Sequence, residues 1–418
     1  MRERRLSVNE KVKKKKSSSL NGKQLARQYF AFWPLRKPKD YIAKGGFDIT
    51  FFMLVVALLT IGLVMMFSAS YVNALYDSSK AVKNNPYYYI KNQLIFAVIG
   101  LVLMYIISKI RYDFYRDISF AVLLIAFVLL ILVLIFPVEI PGKEEFKRWL
   151  NLGFTTFQPS EIAKVALIMY CAWSMERRKK AIYKDWKMMI PYLIVIAVMC
   201  GLVFMENHVS GTLLILMIGM VMTFLGGVNY KWYVPIIIVG VIGVIVLITN
   251  PDILKKYAGE RIVAWLDKDY DPDGARWQTN QSLYAIGSGG LFGLGLGNSR
   301  QKHLYMPEPQ NDFVFSIVCE ELGFIRVVFI ILLFVLLVWR GFVIAMRAKD
   351  TFSSLLVMGI VFHVGLQTAL NIAVVSDLIP NTGIGLPFFS YGGTSLVILL
   401  MEMGMVLGVS RYSKIQKT

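Results

Sequence analysis

Polar and charged residues fall in clusters along the chain, separated by unbroken apolar stretches. Most of these stretches run to about 18 residues or more, enough for a helix to cross the hydrocarbon core of a bilayer. They lack the alternation of apolar and polar positions that marks the strands of a membrane barrel. A helix also satisfies its own backbone amides and carbonyls, as lipid requires. The pattern predicts an all-α polytopic membrane protein of about ten spans. These fall near 48–69, 90–108, 118–136, 160–176, 188–205, 210–226, 233–250, 313–338, 352–375 and 394–410.

Composition agrees: of 418 residues, 56% are hydrophobic and 17% charged, and the mean hydropathy is +0.57. Such a chain is too apolar for a soluble domain of this size. The net charge of +18 adds sidedness. Residues 1–46 hold 14 Lys/Arg against 3 Asp/Glu, including Lys13–Lys16 and a serine run. They read as a disordered, solvated cytoplasmic tail with no cleavable-signal pattern. Such a head suits a nucleic-acid arm or an anchor on anionic lipid headgroups. The anchor is the reading adopted here, and no nucleic-acid partner is expected. Lys/Arg recur at 109–116, 177–184, 340–349 and 411–417, which are all even-numbered junctions or the tail. This positive-inside pattern places both termini in the cytoplasm, with residues 47–412 as the membrane domain and 413–418 as a short tail.

The outer side then receives 70–89, 137–159, 251–312 and 376–393. The loop 251–312, between spans 7 and 8, is far longer than the other connections. It carries Trp265, Trp277, Tyr284, two glycine clusters and Lys302-His303-Leu-Tyr-Met-Pro307-Glu308. The mixture predicts a folded loop that binds something polar. Its glycines match neither a dinucleotide fingerprint nor a phosphate loop, and suit tight turns instead.

Ionisable groups at membrane depth are functional candidates by default. Asp312, immediately before the eighth span, reads as a helix N-cap or as a general base toward a sugar hydroxyl. Glu161 and Lys164, three residues apart on one helix, are placed to pair. Glu320 and Glu321 read as structural groups of a polar core, paired with a cation such as Arg326 or Lys164, or as the wall of a polar cavity. Lys143, Lys147 and Arg148 in one outer loop, with Arg276, Arg300 and Lys302 in the next, make an outer face too cationic for the positive-inside rule. An anion such as a lipid-linked pyrophosphate, or outer-leaflet headgroups, would account for it. Cys171, Cys200 and Cys319, and His208, His303 and His363, show no metal-ligand spacing.

Several segments in order carry a resemblance. They are Arg148-Trp-Leu-Asn151, Gln158-Pro-Ser-Glu161 with Lys164, Gln281–Gly290, Gly293–Gly297, Met306-Pro-Glu308, Asp312-Phe-Val-Phe, Glu320-Glu-Leu-Gly323 and Leu386–Ser395. Together they are similar to the SEDS family (shape, elongation, division and sporulation) over roughly residues 45–412. Gln301-Lys302 followed by Tyr305-Met-Pro-Glu308 looks like the division and sporulation branch (FtsW, SpoVE) more than the elongation branch (RodA). Two positions depart from the family pattern. Glu206-Asn-His208 stands where an aspartate-bearing motif is usual, and Arg326 stands where a small residue is usual.

The resemblance implies a peptidoglycan glycosyltransferase in the bacterial cytoplasmic membrane, enriched at the septum. It would polymerise lipid II on the outer face, with a class B penicillin-binding protein and other division proteins as partners. By motif, the family's essential aspartate falls on Asp312. Arg148, Lys164, Arg276, Lys302, Glu308 and Ser390 are then the expected substrate-binding residues, with or without a divalent cation (Mg2+ or Mn2+). The rivals are a lipid II flippase, which needs a polar path across the membrane, an elongation polymerase of RodA type, and a non-catalytic scaffold for division proteins.

Overall fold

In the computed structural model, the structure describes residues 45–79, 82–138, 147–151, 153, 156–182, 186–235, 238, 260–274 and 276–412. The basic head, most of the seventh expected span, Lys143 and the C-terminal tail lie outside the described residues. Nine long helices among the described residues coincide with nine of the ten expected spans. They are α1 (Ile49–Tyr76), α2 (Tyr88–Ser108), α3 (Tyr112–Ile135), α4 (Pro159–Ile182), α5 (Ile190–Met205), α6 (Val209–Leu225), α9 (Val314–Met346), α10 (Thr351–Val375) and α11 (Gly393–Ser410). Between α6 and α9 the large loop carries two short helices, α7 (Glu260–Leu266) and α8 (Trp277–Ser288). The described part of the loop, 260–274 and 276–312, is folded, as the composition predicts. A two-residue hairpin, β1 (Leu150–Asn151) with β2 (Thr156–Phe157), pairs Leu150 with Phe157 ahead of α4.

Six of these helices (α1–α3 and α9–α11) are each long and apolar enough to cross a membrane. The chain is a multi-pass membrane protein. Several helices outrun their apolar cores because polar residues finish them. Asp48 caps α1 by accepting from the Phe51 amide at 2.9 Å, and it also holds Arg340 of α9 at 2.7 Å. Arg116, in the first turns of α3, pairs with Glu176 of α4 at 3.2 Å and with Asp350, which caps α10, at 2.6 Å. These pairs gather the inner ends of α1, α3, α4, α9 and α10, the ends that the Lys/Arg pattern assigns to the cytoplasm.

Short connections make α5/α6 and α9/α10 antiparallel neighbours. α2 packs along α11, and α3 along α4. α4 is buried nearly all round from Ala163 to Ala172, which marks it as a central helix. Ile95, Val98, Ile125, Val128, Phe329 and Val335 point out of the bundle, where lipid covers them.

One close approach shapes the loop. α9 is kinked at Gly323, whose φ is 74°. Segment 290–295 lies against the kink, with Leu294 and Gly295 amides donating to Glu320 and Glu321 carbonyls at 3.0 Å each. A Cβ on Gly293 would sit 2.2 Å from the Glu321 carbonyl oxygen, so only glycine fits. The two glycine clusters of the sequence are thus the contact between loop and kink.

Candidate active site

A cavity of about 490 Å³ opens among the outer ends of α4, α6, α10 and α11 and descends between them. Asp312, Arg148, Glu161, Lys164, Glu308 and Ser390 all line it. Asp312 does not cap α9: the cap residue is Phe313, with no side-chain cap bond. The Asp312 backbone is held instead by Asn371 of α10, whose Nδ2 donates to the Asp312 carbonyl at 2.8 Å and to the Ile384 carbonyl at 2.7 Å. Asn371 thus ties the aspartate to the non-helical segment 382–392 on the cavity wall. There Gly383 has φ 72°, and a Cβ on it would lie 3.3 Å from Asp312 Oδ2. Phe388 takes φ 67° although it is aromatic. Such strain persists only where packing enforces it; Phe388 is 2% exposed, with its backbone against Gly62 of α1.

The cations divide. Lys164 is buried and meets Glu161 at 2.9 Å, as the i, i+3 spacing predicts. Arg148 donates to the Asn207 carbonyl. Burial and the neighbouring Arg261 push its pKa down to about 10, against Glu206 and Asp312, so it stays charged at neutral pH. Arg276 and Lys302 are not on the cavity wall, and their charges are committed elsewhere. Arg276 pairs with Asp377 at 2.6 Å and donates to the Ala264 carbonyl, locking α7 and α8 to the end of α10. Lys302 runs inward to Glu321 at 2.8 Å and to Ser68 of α1 at 3.1 Å. Both act as structural posts, each paired with a carboxylate off the cavity wall, Glu321 being fully buried and Asp377 partly so.

Glu320 and Glu321 are fully buried but meet neither Arg326 nor Lys164. Glu320 accepts from the Arg300 amide at 2.9 Å and from Ser299 Oγ at 2.5 Å. The kink sends Arg326 away, to the Phe292 carbonyl at 2.7 Å. Of the two residues in the departing outer motif, His208 lines the cavity, with Nδ1 3.4 Å from Gln158 Nε2 and from Ser160 Oγ. Burial, with Arg148 and Lys164 nearby, depresses its pKa well below the ordinary value, so it is neutral. Glu206 lies in the same outer turn, fully buried. Neither carboxyl oxygen has a hydrogen-bond partner, and burial raises its pKa to about 8 against the pull of Arg148.

A model of the FtsW/RodA/SpoVE cell cycle protein family matches residues 49–415. The chain belongs to this family. It is 40% identical to stage V sporulation protein E of Bacillus subtilis over 88% of this chain and 98% of that one. It is 38% identical to the probable peptidoglycan glycosyltransferase FtsW of Trichlorobacter lovleyi over 90% and 95%. Among solved structures it resembles a chain of a peptidoglycan synthase complex that coordinates polymerization and crosslinking (TM-score 0.70, 29% identity, covering 88% and 99%). It also resembles the rod shape determining protein RodA of Thermus thermophilus (TM-score 0.63, 26% identity, 88% and 98%).

This SEDS chain holds cavity residues that the sequence reading missed. Arg261 on α7 lines the cavity near Arg148. Deeper, a buried polar chain runs from Glu161 through Lys164, Gln367 and His363 to Glu402. A signal existed: His363 and Glu402 are ionisable residues inside apolar runs, and His363, Gln367 and Asn371 recur at i, i+4 and i+8 on α10. Among the described residues no three His, Cys, Asp or Glu side chains gather as a metal site.

Proposed function

We propose that the chain polymerises lipid II into β-1,4 glycan strands at the outer face of the membrane, with Asp312 as general base. The acceptor sugar's 4-hydroxyl attacks the donor's anomeric carbon, and Asp312 takes the hydroxyl proton. The bond from that carbon to the phosphate oxygen breaks with its electron pair, undecaprenyl pyrophosphate leaves, and the α-linked donor inverts to a β bond. Arg148 and Lys164 lie where the departing negative charge would form, with Arg261 beside Arg148. A divalent cation would be held by Asp312 or Glu308 together with substrate phosphate oxygens, as Mg2+ commonly is.

The observation that carries this reading is Asp312 on the wall of an outward-opening cavity, with cations beside it. The names of the relatives support the activity, and the resemblance to FtsW and SpoVE proteins favours division or sporulation over elongation. The flippase reading is disfavoured, because below His363 and Glu402 the helices are closed by buried Leu356, Ile360, Val406 and Val409. A crosslinking class B penicillin-binding protein is the proposed partner, both termini are proposed cytoplasmic, and the septum is the proposed site of action. The test is lipid II polymerisation by the purified protein, with and without that partner and divalent cations. Wild-type rates from a folded Asp312→Asn variant would overturn the assignment.

A further inference from the structure

At mid-membrane depth, His363 of α10 faces Glu402 of α11, with Nδ1 3.1 Å from Oε2, and both are buried. On its other side, Nε2 lies 3.0 Å from Gln367 Oε1. Gln367 has two further partners whose chemistry is unambiguous. Lys164 Nζ, 3.4 Å from Oε1, can only donate, and the Gly385 carbonyl, 2.9 Å from Nε2, can only accept. The amide orientation is therefore fixed, and Oε1 must receive a proton from His363 Nε2. The tautomer follows. Nε2 carries a hydrogen toward Gln367, and Nδ1 faces Glu402. The opposite tautomer would set two lone pairs against each other at Gln367 Oε1.

We propose that His363 is a positioning residue for glycosyl transfer, acting through Gln367 on the strained cavity segment 382–392. His363 and Lys164 together hold Gln367 Oε1, and the other end of the same amide holds Gly385. One turn further out, Asn371 holds Ile384 and the Asp312 carbonyl from the same face of α10. Gln367 and Asn371 thus fasten adjacent carbonyls of one non-helical stretch, and the second also fastens the proposed base. Glu402, against the other ring nitrogen, fixes the orientation of the His363 ring that makes this possible. Non-helical backbone here lacks the internal bonds of a helix, so these side chains hold its position on the cavity wall. Removing the Nε2 donor would release the Gln367 amide and, with it, the wall beside Asp312. The proposal rests on the polymerase reading for its kinetic readout only.

The test compares His363→Phe with His363→Gln in the full-length protein, each also carrying Thr382→Cys. The Phe variant fills the space without a donor, whereas the Gln amide can reach Gln367 Oε1. Thr382 suits the reporter because its hydroxyl has no partner. With lipid II as substrate, His363→Phe should lower kcat about tenfold with KM little changed, since geometry rather than affinity is lost. His363→Gln should recover most of it, and Glu402→Gln, which can still donate to Nδ1, should lose less than Glu402→Leu. Labelling of the introduced thiol by an impermeant maleimide should speed up in His363→Phe and return toward the rate of the Thr382→Cys parent in His363→Gln. Unchanged labelling and unchanged kcat in His363→Phe would overturn the proposal. So would equal losses in the two variants. If the wild type does not polymerise lipid II, the polymerase reading fails and the labelling rates alone decide this one.

Discussion

Lys302 and Glu321 meet at 2.8 Å with side chains only 5% and 0% exposed, joining the large outer loop to the kinked helix α9. Lys302 then contributes to folding rather than to substrate binding. Lys302→Met leaves the Glu321 carboxylate buried and uncompensated, at a cost of roughly 3–5 kcal/mol. Thermal unfolding in nanodiscs should show the loss. Lys302→Met with Glu321→Gln should recover part of it, and the KM for lipid II of the folded fraction should stay near wild type.

Asp312 stands apart from this framework, because its side chain faces the cavity while its backbone is fixed by Asn371. Asp312→Asn should preserve folding and lower polymerisation about 10²–10⁴-fold, the usual contribution of a general base. Circular dichroism and a lipid II polymerisation assay on the same preparation check both halves.

Glu206 provides a pH test. Its folded pKa, about 8, is raised from 4.5 chiefly by burial. A raised carboxyl contributes stability that is present below pH 4.5 and is lost as pH rises through 8. The wild-type unfolding temperature should therefore fall between about pH 5 and about 8 relative to Glu206→Gln. Parallel pH curves for the two proteins would refute the assignment.

Gly293 is irreplaceable for two reasons, φ 78° and a backbone oxygen 2.2 Å from any Cβ. Gly293→Ala should detach segment 289–302 from the kink at Gly323. Hydrogen exchange should then accelerate at the Leu294 and Gly295 amides, which donate to α9, while α2 and α11 keep their protection.

Much of the fold is legible in the sequence. Span boundaries match within a few residues wherever an apolar run ends in a turn, as at 352–375 against Thr351–Val375. They miss where a polar turn continues the helix, as at the start of α3, where Tyr112 and Asp113 bury themselves with Arg111 and Arg116. The Glu161–Lys164 pair is readable because helical spacing places it on one face. The partners of Arg276 and Lys302 are not, since an outer cation looks the same in sequence whether it faces a ligand or a buried carboxylate.

Hydropathy and the placement of lysine and arginine depend on local composition. The sequence alone therefore settled the helical membrane class, its Lys/Arg pattern gave the sidedness proposed above, and its motifs pointed to Asp312. Which charges remain at the cavity depended on contacts between residues far apart in the chain, such as Arg276 with Asp377 and Lys302 with Ser68. Only the packed bundle brings these together. The same packing aligns His363, Gln367 and Asn371 behind segment 382–392, because a buried polar group takes whatever partner the fold delivers and no residue-by-residue pattern names that partner.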